Sequence, residues 1–277
     1  MCEFCAQHGD GKKWYLQAEN YAADLASDLE RREFMIEFVT GFDTTMGRTV
    51  PLLEKAKHAP QPIRAAIDRR MRPRQMADHW GQPVPIEECE RIFDIATSIV
   101  QLPCVCRHFA KRPERGYCLG VTVTPQDEVF TEAFAGFAAG PDTSAFQRLT
   151  RAEAMDLLRR AEDEGMMHSV WTFKSPFIAG LCNCNLASGC MAMKTTLELG
   201  YKTMWKGEYV AEVDDSACAG CGACVERCPF GAMALDERRV ATVDRDACYG
   251  CGICRSACGF EAIALAERAV EGAAVTW

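Results

Sequence analysis

The sequence has no apolar run near the roughly 18 residues that a membrane-spanning helix requires, and it has no excess of positive charge. Its 277 residues carry a formal net charge of −8. That excludes a general nucleic-acid binder, whose contacts with phosphate need a basic surface. No G-x-G-x-x-G is followed by an acidic residue and no Walker motif occurs, so nothing marks a flavin or nucleotide site. No G-x-S-x-G or related nucleophile motif is present either. The opening Met1-Cys2-Glu3-Phe4-Cys5 has neither a basic nor an apolar segment, so no secretory signal is expected and the chain reads as cytoplasmic. Histidine is scarce, and His58, His79 and His168 have no evident partner in the sequence; each reads as a surface or core residue.

Cysteine, in contrast, is abundant, with 17 residues. Disulfides form in oxidising compartments and become dense in small secreted domains. This chain is long, reads as unexported and has an odd number of thiols. Ligation of metal or iron–sulfur clusters is the better account. Apolar residues make up 48% of the chain, enough for a sizeable core.

Residues 17–39 read as a helix, with Ala22, Leu25, Ala26 and Leu29 on one stripe and Gly41 as its stop. Residues 48–74 carry eight Lys and Arg against Glu54 and Asp68, with Pro60, Pro62 and Pro73 breaking up the stretch. This is either a solvated face or a docking patch for an acidic redox partner or anionic substrate. Residues 86–100 read as an amphipathic helix behind Pro85 and ended by Pro103, with Cys89 on its apolar face as a core residue. Thr150 and Glu153 form a capping box for a helix whose stripe is Ala154, Leu157, Leu158 and Ala161 and whose end is Gly165. Val170–Phe173 reads as a strand.

From about residue 212 the balance turns acidic, and a repeat with a period of 30 residues appears. Asp214–Leu235 aligns with Asp244–Leu265. Each copy reads C-x2-C-x2-C-x3-C: Cys218, Cys221, Cys224 and Cys228, then Cys248, Cys251, Cys254 and Cys258. Three thiolates at this spacing wrap one cluster in a tight loop, which Gly220, Gly222, Gly250 and Gly252 allow to bend. A zinc ribbon built from C-x2-C pairs is the alternative, but it leaves the third cysteine and the repetition unexplained.

With Pro229 after the fourth cysteine of the first copy, residues 214–266 resemble a bacterial 2[4Fe–4S] ferredoxin domain. The second copy departs from that pattern with Gly259. The resemblance implies two [4Fe–4S] clusters with exchanged fourth ligands. Cys218, Cys221, Cys224 and Cys258 would hold one; Cys248, Cys251, Cys254 and Cys228 would hold the other.

Two C-x-C pairs, Cys104/Cys106 and Cys182/Cys184, remain with Cys118 and Cys190. On an extended segment residues i and i+2 face the same side, so each pair offers two thiolates to one centre. A third [4Fe–4S] cluster using four of the six is expected, with Cys106, Cys118, Cys182 and Cys184 preferred and Arg107 and His108 near a sulfide. A zinc site or unligated thiols are the alternatives. The runs Cys104-Val105-Cys106-Arg107, Tyr117-Cys118-Leu119-Gly120 and Leu181-Cys182-Asn183-Cys184 resemble a module that precedes dicluster domains in iron–sulfur proteins of anaerobes. It implies redox work with an unassigned partner. Cys2, Cys5 and His8 have metal-like spacing but need a fourth ligand from elsewhere.

The expected fold is α+β, with a mostly helical cysteine-rich region over 1–210 and a small ferredoxin-like domain over 211–277. The expected function is one-electron relay between donor and acceptor proteins. A reductase with a substrate-binding N-terminal cluster fed by the ferredoxin domain is one alternative; a redox or metal sensor is another.

Overall fold

Six short segments in which large apolar residues alternate with small or polar ones form an antiparallel sheet at the centre of the N-terminal region. The computed structural model describes residues 13–22, 28–112, 117–123, 128–134 and 146–268. The strands are β1 (Gly81–Val84), β2 (Ser98–Leu102), β3 (Cys118–Thr122), β4 (Gln147–Leu149), β5 (Met167–Thr172) and β6 (Ile178–Cys184). They lie in the order β1-β5-β6-β3-β2-β4, each antiparallel to its neighbours. The helices of this region are α1 (Leu29–Thr40), α2 (Phe42–Lys57), α3 (Gln61–Asp78), α4 (Ile86–Ile95), α5 (Val105–Phe109), α6 (Glu128–Phe134), α7 (Arg151–Asp163) and the single turn α8 (Met191–Met193).

The two-residue period sends alternate side chains to opposite faces. Ile99, Leu119, Val121, Val170 and Leu181 pack with α4, α7, Trp14, Tyr15 and Tyr21. Val100 and Leu102 pack on the other face with Met35 and Val39 of α1 and Phe130 of α6. Gly120 is required there, because a Cβ would meet the Phe130 ring at 2.7 Å. Between β5 and β6 the register jumps from Trp171↔Gly180 to Thr172↔Ile178. Ala179 is therefore an inserted residue, and it joins the α1/α6 face.

Several local expectations shift. Among the described residues of the 17–39 stretch, the α-helix runs from Leu29 on, to Thr40; Ala18–Tyr21 is a 3-10 turn, Ala22 is extended, and Leu25 and Ala26 lie outside the described residues. Asp28 caps the helix by accepting from Arg31 N at 3.0 Å. The buried residues are Met35 and Val39, while Leu29 is 74% exposed. Helix α4 ends at Ile95, and Ile99 and Val100 belong to β2, where strand pairing outcompetes helical periodicity. Pro60 is the N-cap that separates α2 from α3, Pro62 lies in the first turn of α3, and Pro73 lies inside it. A proline there removes one helical hydrogen bond, and the other turns carry the helix. Cys104 and Cys106 sit at the N-terminus of α5 rather than on a strand. Cys89 is fully buried.

The capping box forms as expected, with Glu153 N donating to Thr150 Oγ1 and Thr150 N to the Glu153 carboxylate. Thr150→Ala is expected to destabilise the protein by about 1 kcal/mol, measured as a lowered midpoint in thermal or urea unfolding.

The C-terminal repeat folds as two interlocked halves. Strand β7 (Tyr209–Val213) pairs with β10 (Ile263–Glu267), and β8 (Met233–Leu235) pairs with β9 (Ala241–Val243). Each half carries one short helix, α9 (Ala223–Arg227) or α10 (Ile253–Ser256). The repetition extends to single hydrogen bonds. Asp214 N donates to Ala262 O and Asp244 N to Ala232 O, both at 2.8 Å. Among the described residues, no helix is long and apolar enough to cross a membrane.

Candidate metal centres

The loops that carry the repeated cysteines turn back on themselves through left-handed glycines. Gly220, Gly222, Gly250 and Gly252 have φ of 65°, 81°, 72° and 82°. Two of them are also sterically locked: a Cβ on Gly250 would collide with the Tyr209 carbonyl, and one on Gly220 with the Arg239 carbonyl. Each loop thereby closes around a protein-free space. One is lined by Cys218, Cys221, Cys224 and Cys258. The other is lined by Cys228, Cys248, Cys251 and Cys254. In each space three cysteines come from one repeat and the fourth from the other.

Backbone amides already reach two of these sulfurs: Ala241 N donates to Cys218 Sγ at 3.3 Å and Ala232 N to Cys228 Sγ at 3.4 Å. Burial pushes the Cys254 thiol up to about 12 and raises Cys251 and Cys224 as well. Buried thiols in this state ionise only when a positive charge compensates them. The donor set, the enclosed spaces and the amides aimed at sulfur all fit an iron–sulfur cluster in each loop. Cys221 is the exposed member of the first set, whereas Cys248, Cys251 and Cys254 are buried.

Apart from Cys89, the remaining described thiols converge at one end of the sheet. Strands β6, β3 and β2 are adjacent and antiparallel, so the end of β2, the start of β3 and the end of β6 coincide. That brings Cys118 beside Cys182, with sulfurs 4.0 Å apart. Cys104 follows β2 and shares sulfur hydrogen bonds with Cys106 and Cys118. Cys184 and Cys190 form a second, closer pair at 2.7 Å. All six candidate cysteines are therefore brought together, as a run Cys106–Cys104–Cys118–Cys182 beside the pair Cys184–Cys190.

Mutual crowding dominates their electrostatics. Hydrogen bonds from Cys106 and Cys118 hold Cys104 well below the ordinary thiol range. The same contacts push Cys106 and Cys118 up, and Cys190 does so for Cys184. Buried thiols crowded in this way ionise together only when a cationic centre compensates them. Among the described residues, no three His, Cys, Asp or Glu side chains are arranged to hold one metal ion.

Other sequence candidates fall elsewhere. His108 points away from the thiols and lies 3.3 Å from Asp43, because its position on α5 faces α2. Arg107 is buried with its guanidinium against Met166 Sδ at 3.2 Å and the Tyr117 ring. His168 is fully buried on the opposite face of the sheet, with Nδ1 2.6 Å from Asn183 Oδ1. His58 is exposed. Cys2, Cys5 and His8 lie outside the described residues.

Sequence reasoning missed the packing between the six-thiol group and the C-terminal loops. Cys184, Cys190, Met193 and Met204 share one apolar cluster with Cys251 and Ile253. Phe230 and Tyr249 flank it, stacked at 4.1 Å and nearly parallel. Gly207 N donates to Tyr249 O at 2.8 Å, and Arg255 meets Glu87 at 2.5 Å. Nothing in local periodicity signals this contact.

Comparison with known proteins agrees with this chemistry. Residues 211–265 match the family model described as a 4Fe–4S dicluster domain. A 69-residue stretch is 38% identical to an iron–sulfur subunit of the CoB–CoM heterodisulfide reductase of Methanopyrus kandleri. The match covers 22% of this chain and only 10% of that protein. Residues 211–265 are thus a 4Fe–4S dicluster domain, which supports iron–sulfur electron transfer.

Proposed function

We propose that this chain is a three-centre electron relay, in which the dicluster domain connects an external redox partner with the six-thiol group of the N-terminal region. Bound [4Fe–4S] clusters would supply one-electron carriers of low potential. Cys218, Cys221, Cys224 and Cys258 hold one, and Cys228, Cys248, Cys251 and Cys254 the other. The third set is Cys104, Cys106, Cys118 and Cys182, with Cys104 in place of Cys184 because the sulfur contacts run through it. Cys184 and Cys190 lie between this set and the second C-terminal loop.

The observation that carries the reading is the apolar cluster shared by Cys184, Cys190 and Cys251. It excludes water between two sulfur-rich sites and keeps them in direct packing contact. The exposed Cys221 loop marks the opposite, partner-facing end. An N-terminal region of this size then serves to hold the inner centre and dock the acceptor. Residues 1–210 and 211–277 act as its two domains.

Anaerobically purified protein is expected to contain about twelve irons and as much labile sulfide per chain, falling to about eight in Cys118→Ser/Cys182→Ser. Iron near eight in the unmodified protein, or zinc at the six-thiol group, overturns the third centre.

A reductase-type role for the inner centre is favoured by a second observation. Cys106, Cys118 and Cys182 form part of the wall of a cavity of about 320 Å³ between the sheet, α1 and α2. A bound small molecule there would lie against the thiol group. A substrate-dependent change in one of the EPR signals, with the others unaltered, is the expected signature.

A further inference from the structure

The cavity beside the six-thiol group has its own chemistry. Phe34, Phe38, Phe42, Phe130, Trp171 and Phe173 line it, together with aliphatic side chains of α1, α2 and the sheet. Its volume lies in the range of small-molecule sites, which are mainly apolar with a few placed polar groups. Aromatic walls of this kind favour flat rings, through offset or edge-to-face contacts.

The polar groups narrow the ligand further. No Lys or Arg is among the described lining residues, and the one carboxylate, Asp78, is bonded to Lys174 at 2.9 Å. Nothing in the wall compensates an anion. Tyr201 lines the cavity, and its buried hydroxyl has no hydrogen-bond partner. An orphaned buried O–H is costly and calls for an acceptor. His79 also lines the cavity, stacked on Trp171 at 5.0 Å. Its Nδ1 donates to Thr172 O at 2.5 Å, which leaves Nε2 as an acceptor. Burial lowers its pKa to about 4, so the ring stays neutral near pH 7. The wall therefore offers the unsatisfied Tyr201 O–H as a donor and the His79 ring nitrogen as an acceptor, beside Thr49, Thr195, Thr203 and Gln75, in an aromatic site with no cationic lining residue among those described.

We propose that this cavity binds a neutral, fused-ring aromatic compound carrying a phenol or carbonyl oxygen, seated among the phenylalanines with its oxygen bonded to Tyr201. Assignment of that compound as the substrate of the inner centre rests on the reductase reading above; its binding does not.

The test uses the full chain, purified anaerobically, with 2-naphthol as the fluorescent probe and naphthalene and naphthalene-2-sulfonate as comparisons. Saturable binding at one site is expected for 2-naphthol, with the sulfonate at least about tenfold weaker. Tyr201→Phe should weaken 2-naphthol about tenfold and leave naphthalene unchanged, as loss of a single hydrogen bond requires. Met46→Trp, which fills the cavity from α2, should abolish both. Unsaturable binding, equal affinity for the sulfonate, or unaltered binding in Met46→Trp overturns the proposal. Iron content of the same samples decides the inner centre separately. Eight irons with intact 2-naphthol binding would reject the centre and keep the site; twelve irons with no binding would do the reverse.

Discussion

Removing iron from the anaerobically purified protein with a chelator is expected to unfold residues 211–265 while the six-stranded sheet stays folded. The C-terminal segment has little else to hold it. Its strands pair two at a time, over five and three residues, and its helices span five and four. Isolated two-stranded pairs are marginal in water. Its core also contains the ligands themselves: Cys224, Cys248 and Cys254 are buried among Val210, Ala232, Met233 and Ile263. Without a cationic cluster these thiols stay protonated around empty space, and binding energy that is also folding energy is lost. Limited trypsin digestion provides the measurement. Cleavage after Arg227, Arg238, Arg239, Arg245 and Arg255 should accelerate by at least about tenfold in the apo form. Cleavage after Arg159 and Arg160 of α7 should change little, because Leu157 and Leu158 of that helix lie in a core that contains no cluster ligand. Equal protection of the C-terminal arginines in apo and holo protein would show that the fold does not depend on the metal.

The second large effect concerns the exchanged cysteines. Cys228 belongs to the first repeat in sequence but lines the space of the second loop, and Cys258 lines that of the first. Cys228→Ala is therefore expected to cost the cluster of Cys248, Cys251 and Cys254, about four irons per chain, and to spare the loop at Cys218. Alkylation followed by mass spectrometry distinguishes the cases. Cys248, Cys251 and Cys254 should become reactive while Cys218, Cys221 and Cys224 remain protected. Cys258→Ala should give the reverse pattern. Reactivity confined to the mutated repeat's own loop would mean that each repeat closes its own cluster.

Much of this is legible before folding. The capping box at Thr150, the stripe Ala154, Leu157, Leu158 and Ala161 and the strand near Val170 follow from rules that act over one or two turns or a few residues. The same holds for the repeated loops, where ligand spacing and left-handed glycines are both local. The helix end at Ile95 escapes such rules, because Ile99 and Val100 continue the apolar period of the helix before them and only pairing with β3 makes them a strand. Cys104 and Cys106 read as extended because no local signal announces a helix at Val105. His108 reads as a neighbour of the thiols because it is close to them in sequence; the turn of α5 carries it toward Asp43 instead.

The chain's order of residues determined the iron–sulfur chemistry, since eight cysteines in two evenly spaced sets suffice to specify the loops that hold them. Tertiary structure alone decided that six further thiols meet, that they pack against one of those loops, and that an aromatic cavity opens beside them. The reason is the antiparallel sheet: it joins the end of β2, the start of β3 and the end of β6, positions distant in sequence, through a strand register that no local pattern records.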